Sequence, residues 1–308
     1  MALRPLDNAL PISQERPKKQ AKIVIPADKV AEINGVNDEN KVPFAQQSTA
    51  DATIDYIPSQ NLKEIQDPDV KIQGLIGGLE SKDWLKVCES LNDVRRFALY
   101  HSSLLLPILE KVVIIMVKSM KNPRSALCKT SIMACSDILK AFGEKLLESI
   151  TCDAFNQLLL QLLLKASQDK KFVCEEAEKA LKVMVESITP LPLLLHKLGA
   201  SVGHSNLKIR AKAGICISNC VSKMDAEGMK EFGLVGLLQI GTNLLNDKLP
   251  EAREAARSIL LSLYEAVVIS NENENEEEKK KVEAWQNFCQ SNLSPIHALA
   301  VVKLVSSS

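Results

Sequence analysis

The chain has 308 residues, of which 46% are hydrophobic and 4% aromatic, with only 12 glycines; it can bury a large core, in the balance of a helical protein rather than a strand array with glycine turns. Lys and Arg total 38, as do Asp and Glu, so no global field points to nucleic acid or to a membrane, and any electrostatic recognition must be local. The eight cysteines mostly replace alanine or valine inside helical patterns, which reads as buried thiols of a reducing compartment rather than a disulfide framework.

Residues 1–66 contain Pro5, Pro11, Pro17, Pro26, Pro43 and Pro58 among scattered polar residues. With no sustained helical period, they are expected to form a disordered N-terminal tail. No apolar run of signal length follows Met1, so secretion is not expected. Leu3 to Ile12 has enough apolar residues for a short docking motif through which the tail would meet further protein partners, against the simpler reading of plain unstructured chain. Arg16 to Lys22 holds the cations Arg16, Lys18, Lys19 and Lys22, a density common in linkers.

Residues 67–308 read as one all-α domain, a HEAT/ARM-type α-solenoid of about five helical pairs with C-terminal capping helices. The spacing predicts pairs near 70–80 and 84–97, 102–120 and 125–143, 152–167 and 173–188, 191–203 and 208–223, and 226–245 and 251–268. Three of the second helices superpose without gaps. They read Cys174-x-x-Ala177-x-x-Ala180-Leu181, Arg210-x-x-Ala213-x-x-Cys216-Ile217 and Arg253-x-x-Ala256-x-x-Ile259-Leu260, with the central alanines 36 and 43 residues apart. Periods of that size belong to stacked helical pairs. Ala252, Ala255, Ala256, Ile259, Leu260, Leu263 and Val267 share one helix face. Asp83, Asp169 and Asp247 stand where a carboxylate would cap the following helix or favour its positive end. The acidic-to-basic run from Asn271 to Lys281 reads as a solvated loop opening a helix, and Val282 to Cys289 and Pro295 to Val305 as segments that cover the last repeat.

Signals of chemistry are missing. His101, His196, His204 and His297 are isolated, and Cys216 and Cys220 lack a second ligand pair, so neither a metal nor a cofactor is expected. Gly74, Gly77 and Gly78 lack the Gly-Lys-Ser/Thr of a phosphate loop, and Glu175, Glu176 and Glu178 fall on a helix surface. No catalytic residue is assigned, and an enzyme is not expected. The apolar stretches Val112 to Val117 and Leu158 to Leu164 fall well short of the ~20 residues of a membrane span.

What stands out is a series of basic loops, each between the helices of one pair: Ser81-Lys82-Asp83-Trp84, Lys121-Asn122-Pro123-Arg124-Ser125, Asp169-Lys170-Lys171-Phe172, Ser205-Asn206-Leu207-Lys208-Ile209-Arg210 and Asn246-Asp247-Lys248-Leu249-Pro250. In a helical-pair solenoid such loops line one edge. Lys82, Lys86, Lys121, Arg124, Lys170, Lys171, Lys208, Arg210, Lys248 and Arg253 would then form a stripe that suits an acidic partner. Trp84 reads either as an interface anchor at the end of the stripe or as a residue tucked between the helices of the first repeat.

Asp83-Trp84, Arg124-Ser125 leading to Phe142-Gly143, and Lys170-Lys171-Phe172-Val173 followed by Glu178-Lys179-Ala180-Leu181 resemble the TOG domain of microtubule regulators, in particular the CLASP-type domains and those of TOG-array regulators of axonemal microtubules. The resemblance covers about residues 69–270. Where the family usually has arginine three residues after the tryptophan and alanine six after it, this chain has Val87 and Ser90. The resemblance implies a non-enzymatic paddle that binds αβ-tubulin or microtubules, in the cytoplasm at the microtubule cytoskeleton, and neither nucleic acid nor membrane. Carried onto this chain, the implied contact residues are Trp84, Lys86, Arg124, Ser125, Lys170, Lys171, Asn206, Lys208, Arg210, Lys248 and Arg253. The alternative is a generic HEAT/ARM-repeat scaffold that binds another acidic protein; exposure of Trp84 on the edge of Arg124 and Lys171 favours tubulin, and burial favours the scaffold.

Overall fold

Apolar residues recurring three and four apart give helices whose inner faces are buried, and every element among the described residues, 56–269 and 278–306 of this computed structural model, is helical. The first pair is α1 (Pro68–Leu79) and α2 (Trp84–Tyr100). A short α3 (Ser102–Leu105) and a 3-10 turn (Leu106–Ile108) lead into α4 (Leu109–Met120), which pairs with α5 (Ser125–Ser149). The third pair is α6 (Cys152–Ala166) and α7 (Lys171–Ser187), and the fourth α8 (Leu191–Gly199) and α9 (Leu207–Val221). In the fifth, α10 (Ala226–Phe232) and α11 (Leu234–Leu245) precede α12 (Pro250–Ile269). The second helices pack in succession, α2 on α5, α5 on α7, α7 on α9 and α9 on α12, and the first helices form the other layer. The described residues thus form an α-solenoid of five helical pairs.

The repeat read from the alanines holds in the packing, since Ala177, Ala213 and Ala256 are each fully buried where consecutive helices approach. Two predicted helices are interrupted, each for a local reason. Pro107 sits in the 3-10 turn between α3 and α4, because it has no N–H to donate to a continuing helix. Gly233 takes φ 109° and ends α10, a conformation that a side chain disfavours. Conversely, α5 runs past Gly143 to Ser149. There the absent side chain lets the end of α7 close in, for a Cβ on Gly143 would collide with the Ser187 carbonyl.

Packed chain begins before the boundary at 67 drawn from the sequence. Residues 56–62 cross α2 and α5 with Leu62 buried, and Tyr100 donates its hydroxyl hydrogen to the Leu62 carbonyl at 2.7 Å. Beneath them lies an ion pair that hydrophobic periodicity does not announce: Arg95 Nε donates to Asp137 Oδ2 at 2.7 Å, with both side chains 1% exposed. Ser59 Oγ donates to the other carboxylate oxygen at 2.7 Å and accepts from Arg95 Nη2 at 3.2 Å, while Asn92 takes Nη1. Burying two charges costs several kcal/mol unless their remaining donors and acceptors are satisfied. Ser59 supplies that satisfaction and so ties the entering chain to the second repeat. The rest of the expected tail, with its docking motif and basic segment, and most of the run from Asn271 to Lys281 lie outside the described residues.

At the other end α13 (Glu278–Asn292) and α14 (Pro295–Ser306) pack on α12. Trp285, 1% exposed, meets Tyr264 edge to face with ring centres 5.6 Å apart, so these helices cover the last repeat. All eight cysteines are free, and six are buried. Burial pushes the thiols of Cys216 and Cys220 up to about 12, which makes them inert packing groups. Gly74, Gly77 and Gly78 lie within α1, no helix of the described residues is long and apolar enough to cross a membrane, and none of their His, Cys, Asp and Glu side chains cluster as a metal site would require.

Candidate functional site

In each pair the turn between first and second helix falls at the same edge, so the geometry of five loops decides what that edge offers. In the first, Ser81 Oγ accepts from the Asp83 N–H and Asp83 Oδ1 accepts from the Leu85 N–H at 3.0 Å, which caps α2. The cap fixes the start of the helix and thereby places Trp84, its first residue. The indole is half-buried, resting on the core on one side, while the Arg124 guanidinium of the second loop lies 5.2 Å from its ring centre on the edge. Lys86 is exposed. Val87 and Ser90 are buried, Ser90 against Gly78 of α1. The two departures from the TOG pattern are thus core positions in this chain.

Asn122 Oδ1 accepts from the Arg124 N–H at 2.9 Å and shapes the second loop, which presents Arg124 and Ser125. Ser125 Oγ accepts from Lys170 Nζ at 3.0 Å, linking the second loop to the third. Lys171 is 88% exposed with Glu175 at 3.8 Å, a surface pair of little energetic weight. Behind it Lys129, which sequence reasoning passed over, lies 4.6 Å from the Tyr56 ring and 5.9 Å from that of Phe172, and pairs with Glu176 at 3.6 Å.

Asp169 does not cap α7. Its carboxylate reaches Lys208 Nζ of the fourth loop at 2.8 Å, and that hydrogen bond and charge hold it below its ordinary pKa and raise that of Lys208. Asn206 caps α9 by accepting from the Lys208 N–H at 2.9 Å. Arg210, expected on the stripe, turns inward: Nε donates to Asp247 Oδ2 and Nη1 to the His204 carbonyl, both at 2.7 Å. In the fifth loop Arg253 Nη1 donates to the carbonyls of Asp247 and Lys248, both at 2.9 Å, while the Lys248 side chain stays exposed. Burial works against the Asp247 carboxylate, but hydrogen bonds from the Leu249 N–H and Arg210 outweigh it and leave its pKa depressed. Arg210 and Arg253 therefore staple the fourth and fifth loops, Arg210 through Nε and Nη1 and Arg253 through Nη1.

Between the second, third and fourth loops the edge opens into a cavity of about 850 Å³ with Lys121, Lys165, Lys170 and Lys208 around it and Cys128 and Val173 at its floor. Lys165 was not singled out from the sequence. Its basic side chain in the last turn of α6, one helical turn ahead of Asp169, is the signal that was there to be read.

Comparison with known proteins agrees with the fold that carries these loops. In sequence the chain is similar to the mouse TOG array regulator of axonemal microtubules protein 1, at 25% identity over 219 residues, 70% of this chain and 12% of that protein. The human protein of that name is 28% identical over 129 residues, 42% of this chain and 7% of that one. Among solved structures, the TOG domain of C. elegans Zyg9 superposes with a TM-score of 0.56 at 14% identity, covering 80% of this chain and 89% of that one. A chain of crescerin, described as using a TOG domain array to regulate microtubules in the primary cilium, superposes with a TM-score of 0.51 at 11% identity, covering 76% and 88%. These structures share the fold. The family described as CLASP N terminal matches residues 98–274, more than half of the sequence, and the chain belongs to that family.

Proposed function

We propose that this chain is a non-enzymatic binder of αβ-tubulin, as the free dimer or within the microtubule, acting through its loop edge in microtubule organisation at the cytoplasmic cytoskeleton. The observation that carries the reading is Trp84, held at the edge by the Asp83 cap with the Arg124 guanidinium 5.2 Å from its ring. A flat aromatic side chain, fixed on one face by the core and flanked by an arginine, is the combination enriched among residues that dominate protein interfaces. Membership of the CLASP N terminal family supports it, as do the names of the relatives, which are regulators of microtubules. Of the contact residues implied from the sequence, Trp84, Lys86, Arg124, Ser125, Lys170, Lys171, Asn206, Lys208 and Lys248 lie on the edge with side-chain groups toward solvent or toward one another.

The test is size-exclusion chromatography of the full chain with purified tubulin, and co-sedimentation with stabilised microtubules. Co-elution or co-pelleting by the native chain, reduced by Trp84→Ala at unchanged helical signal, is the expected result. A chain that binds neither form of tubulin is a helical-repeat scaffold for another acidic partner.

A further inference from the structure

The cavity between the second, third and fourth loops has a charge pattern that the surrounding protein does not neutralise. Lys121 comes from the end of α4, Lys165 from the last turn of α6 and Lys170 from the start of α7, and none of the three forms an ion pair among the described residues. Lys165 is half-buried below the rim. A cation withdrawn from water without a counter-ion is unfavourable, so an anion that entered would be held more strongly than on the open edge. At the floor, burial raises the Cys128 thiol, while the charges of Lys165 and Lys170 oppose that rise, as expected if both ammonium groups are directed into the cavity. The helices that begin at the rim add to this. Arg124 and Lys170 occupy the N-cap positions of α5 and α7 and cap neither with a side chain, so first-turn N–H groups keep donors for an outside acceptor. By contrast α2 and α9 are closed by their own Asp83 and Asn206.

We propose that this cavity receives an extended acidic segment projecting from the partner protein, whose side-chain carboxylates neutralise Lys121, Lys165 and Lys170. The proposal rests on the reading of the edge as the binding face and adds the chemistry of what enters it. A flat acidic surface would meet the rim and leave Lys165 unpaired; a single projecting chain reaches it. The volume, about 850 Å³, lies in the range of pockets that enclose a ligand. Protein carboxylates fit better than a nucleic-acid strand, because the lining has no aromatic side chain on which a base would stack.

The probe is fluorescein-labelled octaglutamate, with octaglutamine as the neutral control, titrated by the full chain and read by anisotropy at low salt. Octaglutamate is expected to bind and octaglutamine not. Lys165→Glu should weaken octaglutamate about tenfold, whereas Lys248→Glu, the same charge change on the same edge outside the cavity, should weaken it less than about threefold. Lys165→Gln serves as the milder variant if the reversal lowers the melting temperature. Equal loss in the two reversals, no binding of octaglutamate, or tighter binding of a thymidine oligonucleotide would each overturn the proposal. A chain that binds tubulin but not octaglutamate loses the cavity and keeps the edge; one that binds octaglutamate but not tubulin keeps the cavity and loses tubulin as the partner.

Discussion

Arg124 in the second loop and Arg210 after the fourth are both arginines at the start of a second helix, and they do opposite things. The Arg124 guanidinium lies 5.2 Å from the Trp84 ring centre and makes no ion pair among the described residues. That of Arg210 is locked to Asp247 at 2.7 Å and to the carbonyl of His204. The same division holds for the loops as wholes. Of the first three, the second has no aspartate, Asp83 of the first caps α2, and Asp169 of the third reaches the next loop, so none of them takes up Arg124. In the last two, Asp247 of the fifth loop reaches across to Arg210 of the fourth, while Arg253 closes over the Asp247 and Lys248 carbonyls. What separates an open arginine from a structural one is therefore whether buried carboxylate or carbonyl acceptors, from its own loop or the next, lie within reach of its fork of donors. A stripe counted from sequence mixes the two kinds.

The largest effect should come from the stapled half. Asp247→Ala leaves the Arg210 guanidinium, 21% exposed, without its carboxylate and the Leu249 N–H without its acceptor. We expect a loss of about 2–3 kcal/mol in unfolding free energy. The pH dependence follows from the depressed pKa of Asp247. Because the folded value lies below the unfolded one, the carboxylate stabilises the fold fully above its ordinary value of 3.8, and this contribution fades as pH falls through the depressed folded value. The gap between native chain and Asp247→Ala, measured by urea unfolding, should be constant near neutrality and close below pH ~4. A gap that grew on acidification would reverse the assignment of the staple.

In the open half the largest effect should fall on binding. Trp84→Ala is expected to weaken tubulin by about 2 kcal/mol, roughly thirtyfold, in an affinity titration on chain whose circular dichroism is unchanged. Since the indole also rests on the core, a melting temperature lowered by a few degrees is compatible with this. Collapse of the helical signal would instead make Trp84 a residue of the first-repeat core.

The two halves also differ in how far the sequence disclosed them. The array was legible because Ala177, Ala213 and Ala256 repeat one buried position, and a helix registers burial as periodicity within a single stretch of chain. Asp83-Trp84 was legible because a cap and the residue after it are neighbours. Arg210 and Asp247 are 37 positions apart, and nothing local to either says that the two loops meet. Arg95 and Asp137 escaped notice for the same reason, and because burial of charge runs against the expectation for such residues. Lys165 becomes significant only when α4, α6 and α7 are set side by side, which is a property of the stacking and not of any one helix. Helix ends moved where Pro107 and Gly233 act, two residues whose effect is local but whose outcome, kink or break, depends on what packs around them.

The smallest effect belongs to Lys171, which is the sharpest test of the comparison because it is a charge with nothing structural to do. Its side chain is 88% exposed and its pair with Glu175 spans 3.8 Å in water, so the pair contributes close to nothing. In Lys171→Glu the new carboxylate stands at the first position of α7, where the helix dipole favours it by a few tenths of a kcal/mol, and faces Glu175 one turn on, which disfavours it by about as much. Stability should stay within about 0.5 kcal/mol of the native chain. Tubulin affinity should fall only about threefold at ~50 mM salt, through slower association, and the deficit should vanish by ~200 mM as the Debye length drops below ~10 Å. Arg210→Glu, an identical change of charge one repeat along, should behave in the opposite way, losing stability before it loses affinity because it sets two carboxylates against each other in the stapled loop. If Lys171→Glu melted several degrees early, or if Arg210→Glu kept its stability and lost binding in a salt-dependent manner, the division of the edge into open and stapled loops would be wrong.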